Sequence, residues 1–519
     1  MNLSRIPLGR LCWWTTLLLL TVPQLVGSEK ILFAFPFSAT SHNIFFNSLS
    51  TELASRGHDV TYISPYPIKS PPKNHKQIVV KDILKSTARA HTPSSESGLY
   101  HTFKFLRDTS LKVCRTAYAT PEIKELIKSG QFDMVVSSIF FSDCFHVLSH
   151  VFNASLVLMS PAGTFPNDDL MMGNPALPSF VPNIFSTYSD RMNLWERLTN
   201  TLTVYSFQLY NKIFIVPYHE EIIRDVFGES MPSVSDVQSK TSLLLLNSHF
   251  SFLYPHPAVP AVVEVGGMHV KQPKPLPEDI KKIMDEAEDG VIYFSMGSYL
   301  QSADFPEPLR KSFLEAFGEL KQKVLWKWEK DSLPGQPPNV KLSKWWPQSD
   351  ILAHPNTKLF ITHGGLLSLE EAFIRGVPLI GIPVFGDQQL NMNRVAELGV
   401  GLKMSLSSLT KETILKAIRT VLEDPSFAEN MKKRSAIAKD RPLPPLEKAV
   451  YWIEYVLRHD GAPHLRSAGV DLSWFQFFLV DIAMILMLAL ATLPVIFMLI
   501  LRTIANFYVM KKKVKDKKQ

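Results

Sequence analysis

The sequence predicts two doubly wound α/β domains followed by one membrane-spanning helix. Short apolar runs alternate with helical patterns in both halves of the chain, and a long apolar run precedes a lysine-rich tail. Parallel strands need helical crossovers, so alternating units of this kind are typical of doubly wound sheets. At 519 residues the chain is long enough for two such domains.

The first domain is predicted at 29–270. Phe45, Leu49 and Leu53 share one face of its first helical pattern. Residues 164–240 are rich in Pro, Asn and aromatic side chains, so we expect an irregular segment there. Strands are predicted on the apolar runs at 31–35, 60–63, 134–138 and 156–159.

The second domain is predicted at 271–470. The proline-rich stretch 271–277 separates it from the first and has the composition of a linker. Ligands of doubly wound folds bind where the carboxyl ends of strands lead into helices, so two facing domains would enclose a cleft for two substrates. Its strands are predicted at 291–294, 324–327, 359–362 and 379–382.

The two ends of the chain carry targeting signals. Residues 1–28 combine two arginines, an apolar run and small residues, a pattern typical of a signal peptide. Residues 474–502 are long and apolar enough to cross a bilayer, with aromatic residues at both ends. The lysine-rich tail at 503–519 is expected in the cytosol, which makes the body lumenal.

The net charge of +7 comes from the chain ends. The tail holds six Lys and one Asp, so the residues between signal peptide and anchor are close to neutral and nucleic-acid binding is not expected. Lys515 and Lys517 have the spacing of a dilysine retrieval signal, which predicts a single-pass type I protein of the endoplasmic reticulum membrane.

Outside the signal peptide the chain has two cysteines, Cys114 and Cys144. An oxidising lumen would allow them to pair, and the sequence leaves this open. Asn153 begins a sequon and is a candidate glycosylation site. No Cys/His cluster has zinc-ligand spacing, so no metal site is predicted.

The most informative motif runs from 360 to 388. An apolar strand leads through His363, Gly364 and Gly365 into a helix, and a second strand ends in polar residues. Backbone N–H groups at such a turn, together with the positive end of the helix dipole, can hold a pyrophosphate.

The complete motif resembles that of UDP-glycosyltransferases, in the His-Gly-Gly-Leu-Leu-Ser form of the insect-type, membrane-bound animal branch. This resemblance implies the GT-B fold, in which two Rossmann-like domains face a cleft. It also implies a UDP-sugar as co-substrate and a small lipophilic acceptor. No acidic cluster of the Asp-x-Asp type lies beside the motif, so no cofactor or metal is expected. Glucose is expected as the sugar, since insect-type members generally use it, with glucuronic acid as the alternative. Self-association is left open.

The same resemblance implies the donor-binding residues. A Trp-x-Pro-Gln element would stack on uracil and bind the uridine, the glycine turn would bind the phosphates, and three polar side chains would bind the ribose and the sugar. Leu367 stands where many relatives have Asn, so that polar contact is missing. The implied residues are Trp345, Gln348, Ser298, His363, Gly365, Glu371, Asp387 and Gln388.

His42 follows the first predicted strand and starts the first helix, where the resemblance places the general base. A carboxylate is expected to orient its imidazole. Ungapped counting puts Ser138 at the expected position, whereas the insect-type form favours Asp143, and we select Asp143. Asp133 is expected at the start of its strand, remote from the cleft.

Two other classes of protein compete with this interpretation. A dinucleotide-dependent oxidoreductase is disfavoured because no Gly-x-Gly-x-x-Gly follows the first strand of either domain. A non-catalytic protein with the same fold is the stronger rival, although the retained His42, Asp387 and Gln388 argue against it.

Overall fold

The computed structural model describes residues 27–87, 98–175, 177–298 and 300–517. The predicted signal peptide therefore lies almost entirely outside the described residues. The chain forms two compact units that divide between Arg466 and Ser467.

The first sheet of the larger unit has seven parallel strands in the order β3-β2-β1-β4-β5-β6-β7. The order reverses beside β1, which is where a doubly wound sheet opens a crevice at its carboxyl edge. Its strands are β1 Lys30–Ala34, β2 Asp59–Ser64, β3 His75–Val79, β4 Met134–Ser138, β5 Ser155–Ser160, β6 Leu243–Leu246 and β7 Val262–Glu264.

The second sheet has six parallel strands in the order β10-β9-β8-β11-β12-β13. The order reverses here between β8 and β11, so the second sheet has its own crevice. Its strands are β8 Val291–Ser295, β9 Lys323–Lys327, β10 Val340–Ser343, β11 Thr357–Thr362, β12 Leu379–Gly381 and β13 Gly401–Lys403.

Helices cover the sheets, as parallel strands buried on both faces require. In the first half they are α1 Thr40–Ser55, α2 Asp82–Thr87, α3 Gly98–Ala119, α4 Pro121–Ser129, α5 Leu148–Val151, α6 Asp168–Met172, α7 Leu194–Phe214, α8 Val216–Phe227 and α9 Val234–Gln238. In the second half they are α10 Glu278–Asp285, α11 Glu307–Gly318, α12 Gln348–Ala353, α13 Leu366–Arg375, α14 Gln388–Glu397, α15 Lys411–Glu423, α16 Pro425–Lys439 and α17 Pro445–Arg458.

The two doubly wound sheets confirm the predicted fold class. The buried face of α1 contains Phe45, Leu49 and Leu53 as expected. In the second sheet the strands β8 and β9 are almost entirely buried, which explains why they read as continuous apolar runs.

The expectation of an irregular segment at 164–240 is wrong. It contains the long helices α7 and α8. An Asn193–Glu196 capping box starts α7, and its buried Asn200 is satisfied by bonds to Asn183 and to the backbone. Polar composition misled the sequence interpretation, because these polar side chains support a helix.

The predicted boundary of the second domain at 470 also needs correction. Helix α17 returns to the first sheet, where Ala449, Val450, Ile453 and Val456 join the hydrophobic core of the first domain. Their spacing places all four on one face of α17. The end of the second domain therefore packs against the core of the first domain.

Cys114 and Cys144 form a disulfide. It joins α3 to the short 3₁₀ turn Asp143–Phe145 that follows β4. The pairing left open by the sequence is thereby decided, and the turn that carries Asp143 is fixed to a helix.

The smaller unit contains α18 Trp474–Phe477 and α19 Val480–Asp516. Within the described residues, α19 is the one helix long and apolar enough to cross a membrane, and none of its side chains is buried. A core helix would bury its apolar residues, so this exposure agrees with the predicted anchor.

We predict that truncation before Trp474 releases the body from membranes, since the apolar helix is removed. Alkaline extraction of membranes expressing the truncated and full-length chains measures this. The full-length chain should stay in the pellet, and a truncated chain that also stays there would contradict a single C-terminal anchor.

Candidate active site

A cavity of about 430 Å³ lies at the carboxyl edges of both sheets. The segments that follow β1, β5, β8 and β11 contribute to its wall. Nine of the ten sequence-predicted site residues line it, and Asp143 does not. The tertiary structure thus brings together side chains from both domains.

The half of the cavity formed by the first domain is mainly apolar. Aromatic and aliphatic side chains dominate this surface, whereas the half formed by the second domain is mainly polar. Such a surface suits a hydrophobic molecule. Its apolar lining residues include Phe37, Phe105, Leu106, Phe140, Phe165, Ile184 and Phe185.

His363 lies at the end of β11, packed between two glycines. A Cβ added at Gly297 would lie 2.5 Å from the His363 ring, and one added at Gly365 would lie 2.5 Å from its Nε2. Burial, with a smaller contribution from the charge of Lys327, lowers the pKa of His363 to about 4. The ring is therefore neutral at physiological pH, and the glycines are required for its close approach.

The amino end of α13 faces the same cavity. Gly365 is its N-cap, and Leu366 and Leu367 follow on the cavity wall. The first N–H groups of a helix have no partner within the helix and carry a positive partial charge. This end of α13 can therefore bind an anion.

Asp387 is anchored beside that helix end. Its carboxylate accepts a bond from Asn391 Nδ2 at 2.7 Å and another from the backbone N–H of Leu366. Burial raises the pKa of Asp387 to about 6. Asn391 also donates to the Gly364 carbonyl at 3.0 Å, so it links Asp387 to the glycine turn.

Gln388 holds the loop after β12. Its Oε1 accepts bonds from the N–H groups of Val384 at 2.8 Å and Phe385 at 3.1 Å. The Oε1 atom of Gln388 is thereby engaged in two hydrogen bonds, and its side-chain nitrogen remains available to a ligand. Ser298, after β8, is half-buried on the cavity wall.

Gln348 and Glu371 form a hydrogen-bonded pair. Gln348 Nε2 donates to Glu371 Oε2 at 2.6 Å and to Ser368 Oγ at 3.1 Å. Burial raises the pKa of Glu371 to about 7. The pair joins α12 to α13 and places a carboxylate and an amide on one side of the cavity.

Trp345 and Trp346 have different roles. Trp345 is 60% exposed and lines the cavity, which leaves its ring free to stack on a flat ligand. Trp346 is buried and donates from Nε1 to the Trp326 carbonyl at 3.1 Å, so it supports the fold.

Lys327 and Asn391 are site residues that the sequence interpretation missed. Lys327 ends β9, is buried, and pairs with Glu329 at 2.7 Å while lining the cavity. Its position at the carboxyl end of a predicted strand is a sequence feature that could have identified Lys327 as a site residue. Asn391 could not be found, because its contacts depend on how α14 packs against β11.

His42 lies in the first turn of α1, on the apolar side of the cavity. Its ring is half-buried, 4.9 Å from Phe140 and 6.4 Å from Phe37 between ring centroids. Desolvation lowers the pKa of His42 to about 4, and the helix amino end also disfavours a cation. His42 is therefore a neutral imidazole that can accept a proton.

The expectation that Asp143 orients His42 is wrong. Among the described residues, the buried Nδ1 of His42 has no hydrogen-bond partner. The Asp143 carboxylate instead accepts from Gln238 Nε2 at 2.7 Å and lies 3.5 Å from His219 Nδ1. The short turn after β4 directs Asp143 away from the cavity, toward α8 and α9.

The alternative, Ser138, also makes its contacts elsewhere. Its Oγ accepts from the Phe140 N–H at 3.0 Å, and its carbonyl contacts His146 Nε2 at 2.9 Å. Asp133 accepts from the Lys30 N–H at 2.7 Å, at the strand starts and remote from the cavity as predicted. Packing against Phe37 and Phe140 is what positions the His42 ring.

Among the described residues, one group of three side chains has metal-ligand spacing, namely Cys114, Cys144 and His219. The two cysteines are joined to each other, so their sulfurs are not free to act as thiolate ligands. This group lies with Asp143 outside the cavity.

Comparisons with known proteins identify the family of the chain. The family described as "UDP-glucoronosyl and UDP-glucosyl transferase" matches residues 29–518. The "UDP-glycosyltransferase UGT5" of Dactylopius coccus is 38% identical, over 90% of this chain and 91% of that protein. The "UDP-glucosyltransferase 2" of the same insect is 37% identical, over 93% and 94%.

Among solved structures, the glycosyltransferase of kitacinnamycin superimposes with a TM-score of 0.56 at 18% identity. The match covers 83% of this chain and 99% of that structure. The structural likeness shows that the fold is GT-B. Together with the family match across the whole body and anchor, it establishes that this chain belongs to the UDP-glycosyltransferase family.

Proposed function

We propose that the protein transfers glucose from UDP-glucose to a small lipophilic acceptor, with inversion at the anomeric carbon. The observation that carries this proposal is the position of His42. A neutral imidazole on the apolar half of one cavity faces a polar half that contains the amino end of α13.

The donor is assigned to the polar half. Trp345 stacks on uracil, Gln348 binds the uridine and Glu371 accepts bonds from the ribose hydroxyls. Ser298, His363 and Gly365 bind the pyrophosphate at the amino end of α13. Asp387 and the free amide nitrogen of Gln388 bind the sugar hydroxyls. The direction of the Gln388 side chain, fixed by Val384 and Phe385, supports this last assignment.

The acceptor is assigned to the apolar half. Its hydroxyl oxygen attacks the anomeric carbon as the bond to the UDP oxygen breaks, and His42 takes the hydroxyl proton. The electron pair leaves on UDP, whose charge is stabilised by the helix end and backbone N–H groups. His42 acts without a carboxylate partner among the described residues, so hydrophobic packing holds its ring.

Glucose is proposed on the insect-type motif and on the name of the glucosyltransferase relative. The family includes glucuronosyl transferases, so glucuronic acid is the competing sugar. Metal-independent transfer is proposed because no acidic cluster of the Asp-x-Asp type lies beside the donor motif, and the amino end of α13 can stabilise the charge of the UDP leaving group.

We further propose that the body lies in the lumen of the endoplasmic reticulum, anchored by α19. The disulfide fits an oxidising compartment. Asn153 is exposed, as a glycosylated residue must be.

The assay that tests the function measures glycoside formed from labelled UDP-glucose and UDP-glucuronic acid with a panel of phenols and alcohols. We expect product from UDP-glucose, unaffected by EDTA. His42→Ala should lower turnover by about a hundred- to ten-thousand-fold, because general-base catalysis is lost, while UDP binding is kept.

The loss should be larger for alcohols than for acidic phenols, which are already partly ionised. The exposed His150 provides a matched control, and His150→Ala should keep full activity. No product from either sugar would sink the transferase proposal, and an equal loss for all acceptors would reject His42 as base.

Asp143→Asn should act on stability. The neutral side chain weakens the contact with His219, so the free energy of unfolding should fall by about 1–3 kcal/mol in urea titrations. Any loss of turnover should be the same for phenols and alcohols. A loss that follows the acceptor ranking of His42→Ala would return Asp143 to a role in proton removal.

Gly365→Ala should disrupt donor binding. The added Cβ would lie 2.5 Å from His363 Nε2, so the ring has to move, and displacement of a binding group by about 1 Å can cost about a hundredfold in rate. Gly318→Ala is the control, since its Cβ meets no atom closer than 3.5 Å. UDP affinity by calorimetry should fall only for the former, and equal affinities would remove Gly365 from the donor site.

A further inference from the structure

Helix α13 packs against a glycine turn of the first domain. Gly266 and Gly267 follow β7 and form this turn. A Cβ added at Gly266 would lie 2.9 Å from Glu370 Oε1, and one added at Gly267 would lie 2.9 Å from Ile374 Cδ1. Glu370 and Ile374 are one helical turn apart, so they share one face of α13. The two glycines therefore allow the first domain to contact that face closely.

His269 follows the glycine turn and contacts the amino end of α13. It is 7% exposed and lines the cavity. Its Nε2 lies 3.2 Å from the carbonyl oxygen of Leu367, in the first turn of α13. A carbonyl oxygen only accepts, so Nε2 carries the hydrogen and donates it. Burial lowers the pKa of His269 to about 4, so the ring is neutral and its Nδ1 is an acceptor.

The acceptor Nδ1 of His269 faces Glu370. Glu370 is fully buried, and its Oε2 lies 3.5 Å from Nδ1, which has no hydrogen-bond partner among the described residues. Burial raises the pKa of Glu370 well above its usual value. Asn247, Arg441 and the Gly267 N–H favour the ionised form, but less strongly. The neutral carboxyl carries the hydrogen that Nδ1 lacks, and a shift of about 0.5 Å would complete the bond.

Arg441 supports the same joint through backbone carbonyls. Its Nη1 donates to the Gly266 carbonyl at 2.7 Å, and its Nε donates to the Ala438 carbonyl at 2.6 Å. Ala438 belongs to α16, so the guanidinium ties the glycine turn to the end of that helix. Two of its nitrogens are therefore engaged by backbone, which leaves Glu370 to His269.

We propose that His269 and Glu370 are positioning residues for the sugar donor, linked to α13 by two neutral hydrogen bonds. Glu370 O–H donates to His269 Nδ1, and His269 Nε2–H donates to the Leu367 carbonyl. This chain fixes the amino end of α13 relative to the first domain, so that its unpartnered N–H groups are held toward the pyrophosphate. The inference rests on the donor site proposed above and adds a residue of the first domain to donor binding.

A neutral link suits this position next to an anion site. The amino end of α13 carries a positive partial charge, and an ionised carboxylate one turn away would weaken its attraction for a diphosphate. A buried imidazolium is disfavoured by desolvation. Neutral hydrogen bonds position the helix without opposing the bound anion.

The test measures UDP affinity by calorimetry, and the KM values of both substrates, on the full-length chain. His269→Phe keeps a ring but removes both hydrogen bonds. UDP affinity should fall about tenfold to a hundredfold, because a displaced helix end loses about one hydrogen bond to a charged group. The KM of the donor should rise, and the KM of the acceptor should stay unchanged.

The matched control is His249, which is also 7% exposed. Its Nδ1 contacts Ser251 Oγ at 2.8 Å, and it does not line the cavity. His249→Phe should therefore keep the UDP affinity. Thermal unfolding midpoints show whether each variant is folded at the temperature of the titration.

Two substitutions of Glu370 test the neutral link. Glu370→Gln stays neutral and can still donate to Nδ1, so UDP affinity should be kept. Glu370→Leu has a similar volume without a donor, and its loss should match that of His269→Phe. Because both residues belong to one chain of hydrogen bonds, the double variant should lose no more than either single variant.

The outcomes separate this inference from the function on which it rests. A wild-type chain that binds no UDP would reject the donor site and this inference together. A wild-type chain that binds UDP no better than His269→Phe and Glu370→Leu do would reject the positioning role alone. Equal losses in Glu370→Gln and Glu370→Leu would mean that an ionised carboxylate is required, which overturns the neutral link, and additive losses in the double variant would overturn the shared chain.

Discussion

All strands in both sheets run parallel, so the carboxyl ends of each sheet meet at one edge. This constraint determines where functional side chains can gather. His42 follows β1, and His363 follows β11, each beside the point where the strand order of its sheet reverses. Helix α17 returns to the core of the first domain, and side chains that follow the carboxyl ends of both sheets line one cavity. Side chains that are far apart in sequence therefore line the same cavity.

The two domains form halves of the cavity that differ in polarity, one mainly polar and the other mainly apolar. On the polar side, buried carboxylates and amides are already bonded to one another, so a donor would exchange existing hydrogen bonds for its own. Gln348 with Glu371 and Asn391 with Asp387 are the two pairs. On the apolar side, the His42 ring packs against Phe37 and Phe140, and its Nδ1 has no hydrogen-bond partner within the part of the chain that the structure describes. Low dielectric on that side keeps the imidazole neutral, which is the form that a base requires.

Helix α7 has apolar side chains on both its inner and its outer face. Its inner face contributes to the packing of the cavity wall through Phe207, and its outer face presents apolar side chains where a water-soluble helix would present polar ones. An irregular segment was expected there because of its Pro, Asn and aromatic content, and the apolar side chains on both faces of α7 also hid the helix. Apolar residues on opposite sides of a helix remove the single-faced periodicity by which an amphipathic helix is recognised.

The sequence by itself determined both doubly wound sheets, the long apolar C-terminal helix and the glycine turn between β11 and α13, because apolar periodicity and a contiguous turn are local properties. The close packing of His363 between Gly297 and Gly365, the bonds of Asn391 and the disulfide between Cys114 and Cys144 were decided only by the tertiary structure. Asp143 illustrates the difference: its position in the sequence, shortly after β4, could not reveal that a short turn directs its carboxylate to His219 and Gln238. Side-chain direction after a strand depends on how neighbouring helices pack, and local sequence does not encode that packing.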